Sequence, residues 1–144
     1  MEIWEIAARE CIRDLVVRYN ANGDSGRFTE VGKLFADDAV MTLEGGVYTG
    51  LAEIMMIFTG TQSTLSSGGT APTYLRHMTA THQIDVLSDD TAKGRCYFQV
   101  LTSVGLDHWG RYIDEYRKVD STWLFARRRV DVDGRSPASL FGAA

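Results

Sequence analysis

Over residues 3–19 the apolar positions Ile3, Ile6, Ala7, Cys11, Ile12, Leu15, Val16 and Tyr19 recur at spacings of three and four, the pattern of a helix with one apolar face. Asn22-Gly23-Asp24-Ser25-Gly26 is a run of turn formers. Asp24 or Ser25 is suited to cap a second helix reaching to about residue 36, with Phe28, Val31, Leu34 and Phe35 turned inward, so the chain opens on an antiparallel helix pair. Residues 39–43 and Val47-Tyr48 flank Gly45-Gly46 and predict a short hairpin, followed by a third helix over 51–58. From 60 to 73 Gly, Ser and Thr dominate without a period; a loop this long inside a compact domain is either a working element such as a lid or a loosely ordered surface excursion. Four segments of strand character then follow at 77–87, 92–102, 108–119 and 122–132, with turns at Ser88-Asp89-Asp90 and Asp120-Ser121. Helices first and long adjacent strands afterwards predict an α+β domain whose helices cover one face of an antiparallel sheet. That domain spans residues 1–132, and 133–144 read as a C-terminal tail, loosely held or used in a contact between subunits.

A chain of 144 residues with 44% apolar and 24% charged residues can bury a sizeable core without disulfides or metal, and it lies far from the composition of disorder. The net charge of −4 argues against nucleic acid and against an anionic membrane surface, since both require a basic excess. Cys11 and Cys96 show no paired spacing and read as buried thiols. No stretch is long and apolar enough to cross a membrane, and residues 1–5 lack the pattern of a secretory signal. A cytoplasmic protein is the expectation. Three histidines, His77, His82 and His108, stand at no metal-ligand spacing. Neither a dinucleotide fingerprint, a phosphate-loop lysine nor a nucleophile elbow is present. No metal and no cofactor are expected.

Alternation along the strands sorts the polar residues onto faces. His108, Gly110, Tyr112 and Asp114 share one face, with Trp109, Arg111 and Ile113 on the other. On the last strand Arg127 and Arg129 go with Trp123 and Phe125, while Arg128 goes with Leu124 and Ala126. His82, five residues after His77, points away from it.

The element order, together with the hairpin Tyr116-Arg117-Lys118-Val119-Asp120-Ser121-Thr122-Trp123-Leu124-Phe125, resembles the SnoaL-like branch of the NTF2-like superfamily. Ile12-Arg13-Asp14-Leu15, Phe35-Ala36-Asp37-Asp38-Ala39 and Tyr48-Thr49-Gly50 carry the resemblance through the first half. It implies a cone in which a curved, mostly antiparallel sheet and three helices enclose a pocket. Within that branch the chain is most similar to the scytalone dehydratase, hexachlorocyclohexane dehydrochlorinase and bile-acid dehydratase group, cofactor-free lyases with an Asp/His pair inside the cone. The resemblance places that pair on Asp24 and His77 and a tyrosine on Tyr19, and it places an arginine of the dehydrochlorinase type on Arg128. The second pocket histidine of scytalone dehydratase falls on about Thr102, so that chemistry does not carry over whole.

On this reading Asp24 accepts the second ring N–H of His77 and raises its basicity for removal of a carbon-bound proton, while Tyr19 donates to the developing anion. The alternatives are that Asp24 merely caps a helix, that His77 starts a strand near solvent and that Tyr19 is core. The resemblance also turns the His108 face inward, which makes His108 and Tyr112 substrate contacts or a second acid/base pair, with Phe98 and Val100 shaping the pocket. Arg128 either points inward to anchor an anionic group, or joins Arg127 and Arg129 in ion pairs with Asp114, Glu115 or a neighbouring subunit. The expected function is a lyase or isomerase acting on a small cyclic or polyketide-like molecule, in a homodimer or homotrimer. The alternative is a non-catalytic binding or assembly module, which a side-chain-filled cavity, or Asp24 and His77 more than about 4 Å apart, would favour. Water activation by Asp114, Arg128 and Asp85, of the epoxide-hydrolase kind, ranks lowest.

Overall fold

The computed structural model describes residues 1–67 and 74–142, with side chains described outside 62–67. A capping box opens α1 (Ile3–Asp24), where Glu5 Oε2 accepts the Glu2 backbone N–H at 2.7 Å. Its buried face is Ala8, Ile12, Leu15, Val16, Tyr19 and Asn20. Ile3, Ile6, Ala7 and Cys11, expected on that face, are exposed, because each lies about 100° or more around the helix from Ile12 at 3.6 residues per turn. Cys11 is therefore a surface thiol, whereas Cys96 is buried and its thiol is pushed up to about 11 by desolvation.

α1 continues past Tyr19 and stops only where Gly26 takes a left-handed φ of 72°. The second helix, α2 (Phe28–Gly32), is a single short turn with Arg27 at its N-cap and no side-chain cap. Asp24 thus belongs to the last turn of α1, not to a cap of α2. The expected helix to residue 36 is cut short because Leu34 gives its carbonyl to the Phe125 N–H at 2.9 Å, and Phe35 already begins β1 (Phe35–Leu43).

β1 pairs with β2 (Gly46–Thr49) as a hairpin, and α3 (Leu51–Ser67) follows. α3 takes in the first part of the 60–73 stretch read as loop; Thr59 and Thr61 donate their hydroxyls to the carbonyls of Met55 and Ile57, which satisfies them within the helix. Residues 68–73 of that suggested lid lie outside the described residues. The long strands are β3 (Arg76–Val86), β4 (Thr91–Thr102), β5 (Gly105–Val119) and β6 (Thr122–Arg135), in a sheet ordered β2-β1-β6-β5-β4-β3. β1 lies parallel to β6 and every other neighbouring pair is antiparallel. The Asp120-Ser121 turn between β5 and β6 has both residues left-handed, φ 48° and 67°, the two-residue hairpin whose twist matches the strands. The α+β architecture is thus a curved, mostly antiparallel sheet with three helices.

Single extra residues interrupt the long ladders, and they decide which side chains point inward. On β3 the register slips between Ala80 and Gln83, with Thr81 at φ 54°. His82 therefore turns to the same side as His77, contrary to strict alternation, and meets Tyr116 Oη at 3.2 Å. On β6 Ala126 is the extra residue, since Phe125 faces Tyr116 and Arg127 faces Glu115. Phe125 and Arg128 are consequently both buried, which an unbroken strand would forbid. Asp107 is the extra residue of β5 opposite Val100 and Leu101.

The core holds a fully buried arginine–carboxylate pair. Arg128 and Asp114 are both fully buried and paired bidentately, Nε to Oδ1 at 2.8 Å and Nη2 to Oδ2 at 2.7 Å. Tyr116 donates to Asp114 Oδ2 at 2.9 Å, and the guanidinium lies 3.9–4.3 Å from the ring centroids of Tyr112, Tyr19 and Phe125. Burial works against the charge on Arg128, but the Asp114 charge and its hydrogen bonds more than offset it and hold the guanidinium protonated. Replacing Arg128 by Met strands a buried carboxylate and is expected to lower stability by about 3–5 kcal/mol, whereas Arg127→Met, at an exposed pair, lowers it by less than about 1 kcal/mol. Urea unfolding of the two variants checks the contrast.

Candidate active site

Between the helices and the concave side of the sheet lies a cavity of about 230 Å³. α1 contributes Tyr19, Asn20, Gly23 and Asp24, α3 contributes Ile57, Phe58 and Thr61, and the strands contribute His77, Phe98, His108, Tyr112, Val130 and Val132. Phe28 and Phe141 complete an aromatic lining.

Asp24 and His77 meet at its wall. Asp24 Oδ1 lies 2.6 Å from His77 Nδ1, and Oδ2 accepts the His77 backbone N–H at 2.8 Å. Both side chains are largely buried, 10% and 22% exposed. With Oδ1 as acceptor, the neutral ring has its proton on Nδ1 and its lone pair on Nε2, the tautomer a base needs. The separation is well inside the limit that would have favoured a non-catalytic module.

Tyr19 lines the cavity with its ring edge-on to Phe35, Phe58, Tyr112 and Phe125. Burial raises its pKa while the Arg128 charge pulls the other way, so the hydroxyl stays protonated. Tyr112 also lines the cavity and donates to Asn20 Oδ1 at 3.2 Å, and Phe98 stacks on it at 4.7 Å. Burial raises the Tyr112 hydroxyl as well.

Two expected contacts fall elsewhere. Arg128 points inward, but it is spent on Asp114 and is not among the cavity-lining residues; Arg127 and Arg129 make outer ion pairs with Glu115 and Asp131. Both of the expected alternatives for the arginines thus hold in part. Val100 is fully buried and does not line the cavity either. Asp85 is exposed, and none of Asp85, Asp114 and Arg128 lines the cavity, so these residues make no Asp-Arg-Asp water site there.

The structure adds residues that the sequence pattern concealed. His108 Nδ1 lies 2.8 Å from Asp107 Oδ1, and Asp107 is fully buried. The same carboxylate accepts the Thr102 hydroxyl at 3.0 Å, the Ser139 hydroxyl and the Leu140 N–H at 2.9 Å. Burial would raise the Asp107 pKa, but these donors and His108 outweigh it and hold the carboxyl below its usual range. The tail is therefore anchored over the cavity: Phe141 packs on His108 at 5.5 Å, and Arg135 Nε donates to the Phe141 carbonyl at 2.9 Å. Alternation alone turns Asp107 outward; the neighbouring pair Asp107-His108 was the only signal. Among the described residues no three His, Cys, Asp or Glu side chains converge so as to hold a metal ion, and no helix is long and apolar enough to span a membrane.

Comparison with known proteins agrees with this architecture. Residues 4–129 match the family model of the SnoaL-like domain, and the chain belongs to that family. No curated protein matches it. Among solved structures it is similar to a putative scytalone dehydratase from Novosphingobium aromaticivorans, at 20% identity and TM-score 0.80, covering 94% of this chain and 91% of that one. A type 3 hexachlorocyclohexane dehydrochlorinase from Novosphingobium barchaimii aligns at 18% identity and TM-score 0.77, over 100% and 99% of the two chains. An NTF2-like protein with a cystatin-like fold, also from Novosphingobium aromaticivorans, aligns at 25% identity and TM-score 0.74, over 99% and 98%. These likenesses establish the fold.

The partly buried imidazoles His82 and His108 have pKa values below 6.5, in each case chiefly through desolvation; around His82 the Asp114 charge opposes this, and around His108 the Asp107 bond does. The unfolded chain therefore takes up protons at these positions at higher pH than the folded chain does. The sign follows: stability is unaffected well above 6.5 and falls as the pH drops below it. His82→Gln, away from the cavity, is expected to shrink the loss of unfolding free energy between about pH 7.5 and pH 5.5, as measured by urea denaturation at both values.

Proposed function

We propose that the protein is a cofactor-independent lyase or isomerase that removes a carbon-bound proton from a small, uncharged cyclic molecule. The observation that carries this reading is the Asp24–His77 contact at the wall of an aromatic cavity. In this role Nε2 of His77 accepts the proton, and Asp24 stabilises the imidazolium as it forms. The Tyr19 hydroxyl donates to the oxygen on which negative charge develops, with the Arg128 guanidinium behind its ring at 4.3 Å. In an elimination the C–H electron pair becomes the new double bond, and the departing hydroxyl leaves as water with the proton held on His77.

The lining supports an uncharged substrate. Among the described residues no lysine or arginine faces the cavity, and residues 62–73 contain none, so a carboxylate would enter an apolar site without a counter-charge. The names of two structural neighbours, a putative dehydratase and a dehydrochlorinase, favour elimination of water or halide over binding alone.

A suitable probe is 3-hydroxy-1-tetralone, which loses water to give 1-naphthol and is followed by naphthol fluorescence. Wild-type protein is expected to accelerate the conversion, and His77→Gln and Asp24→Asn each to lower kcat by about 10²–10⁴-fold with the circular dichroism unchanged. Full activity in both variants would overturn the assignment.

A further inference from the structure

The cavity carries a second imidazole of the same kind. His77 on β3 pairs with Val100 on β4, and Val100 pairs with His108 on β5, so the two histidines stand in one cross-strand row with their Cα atoms about 10 Å apart, two strand spacings. Both rings flank Phe98, at centroid distances of 6.3 and 6.1 Å. Both line the cavity.

Each has a carboxylate on Nδ1, and neither Nε2 has a protein partner among the described residues. Both imidazoles thus present Nε2 with the opposite ring nitrogen held by a carboxylate. Asp107 accepts four hydrogen bonds, two of them from the tail residues Ser139 and Leu140. It is an acceptor only, which forces the His108 proton onto Nδ1.

The geometry points to His108 as a second base of this site, with Asp107 as its positioning residue and the tail as the clasp that holds Asp107. This rests on the lyase or isomerase reading and extends it: the site removes protons from a ring at two flanking stations. In the step, the C–H bond breaks and its proton passes to His108 Nε2, while the electron pair moves into the adjacent carbonyl as an enolate. The carbon is then reprotonated by the imidazolium or by solvent, and neither oxidant nor reductant is needed.

Solvent exchange reads this step apart from elimination. 1-Tetralone has no leaving group, and its C2 protons are followed by NMR in D2O. Wild type is expected to exchange them, His77→Gln to retain a residual rate, and His77→Gln/His108→Gln to lose about a further 10²-fold or more, the lower end of the range for one general base. Independently of any substrate, two-dimensional ¹H–¹⁵N spectra of the imidazoles are expected to show His108 protonated at Nδ1, and Asp107→Asn to shift it toward the Nε2–H tautomer and to lower the residual exchange of His77→Gln. Equal exchange by His77→Gln and the double variant, no exchange by wild type, or a His108 proton found on Nε2 in the wild type each overturns the proposal. Full dehydration of 3-hydroxy-1-tetralone by His77→Gln and Asp24→Asn, alongside loss of residual exchange in the double variant, removes the His77 mechanism and leaves His108 standing.

Discussion

The site depends on one carboxylate used twice. Asp24, in the last turn of α1, gives one oxygen to the His77 backbone N–H and the other to the ring, across 53 residues of sequence. The first bond ties the end of the helix to the start of β3, and the second sets the imidazole tautomer. A carboxylate at the negative end of a helix with no basic residue in its last turn is electrostatically unfavourable by itself. The two hydrogen bonds that Asp24 makes with His77 offset this. The same two contacts close the wall of the cavity.

The second constraint is the Arg128–Asp114 pair, which holds charge in the core without placing it in the cavity. Three aromatic rings cover the guanidinium and Asp114 neutralises it. Tyr19 and Tyr112 pack on the guanidinium and line the cavity, which Arg128 itself does not. A positive group in direct contact would select anionic ligands; among the described residues the lining carries no lysine or arginine.

The C-terminal segment gains its order from the same economy of polar groups. Asp107, fully buried at an extra residue of β5, would be costly unless satisfied. Thr102, His108, Ser139 and Leu140 satisfy it. Residues 136–141 are thereby held against the cavity, with Phe141 in its lining.

What the sequence by itself determined was the order and kind of the elements: the first helix, the hairpin at Gly45-Gly46, the four long strands and the Asp120-Ser121 turn. These are local matters of period, turn chemistry and backbone preference, and the motif resemblance further marked Asp24, His77 and Tyr19. Tertiary structure decided that α1 runs on past Tyr19, where Tyr112 holds Asn20 and His77 holds Asp24, and that α2 stops short, where the Leu34 carbonyl accepts the Phe125 N–H. It also decided which polar side chains face inward. His82, Asp107 and Arg128 reach the interior because single extra residues reset the alternation of β3, β5 and β6. A strand written as a sequence carries no mark of such a slip; its position is set by how neighbouring strands pair and curve, and by buried partners such as Asp114 for Arg128 and Thr102 for Asp107.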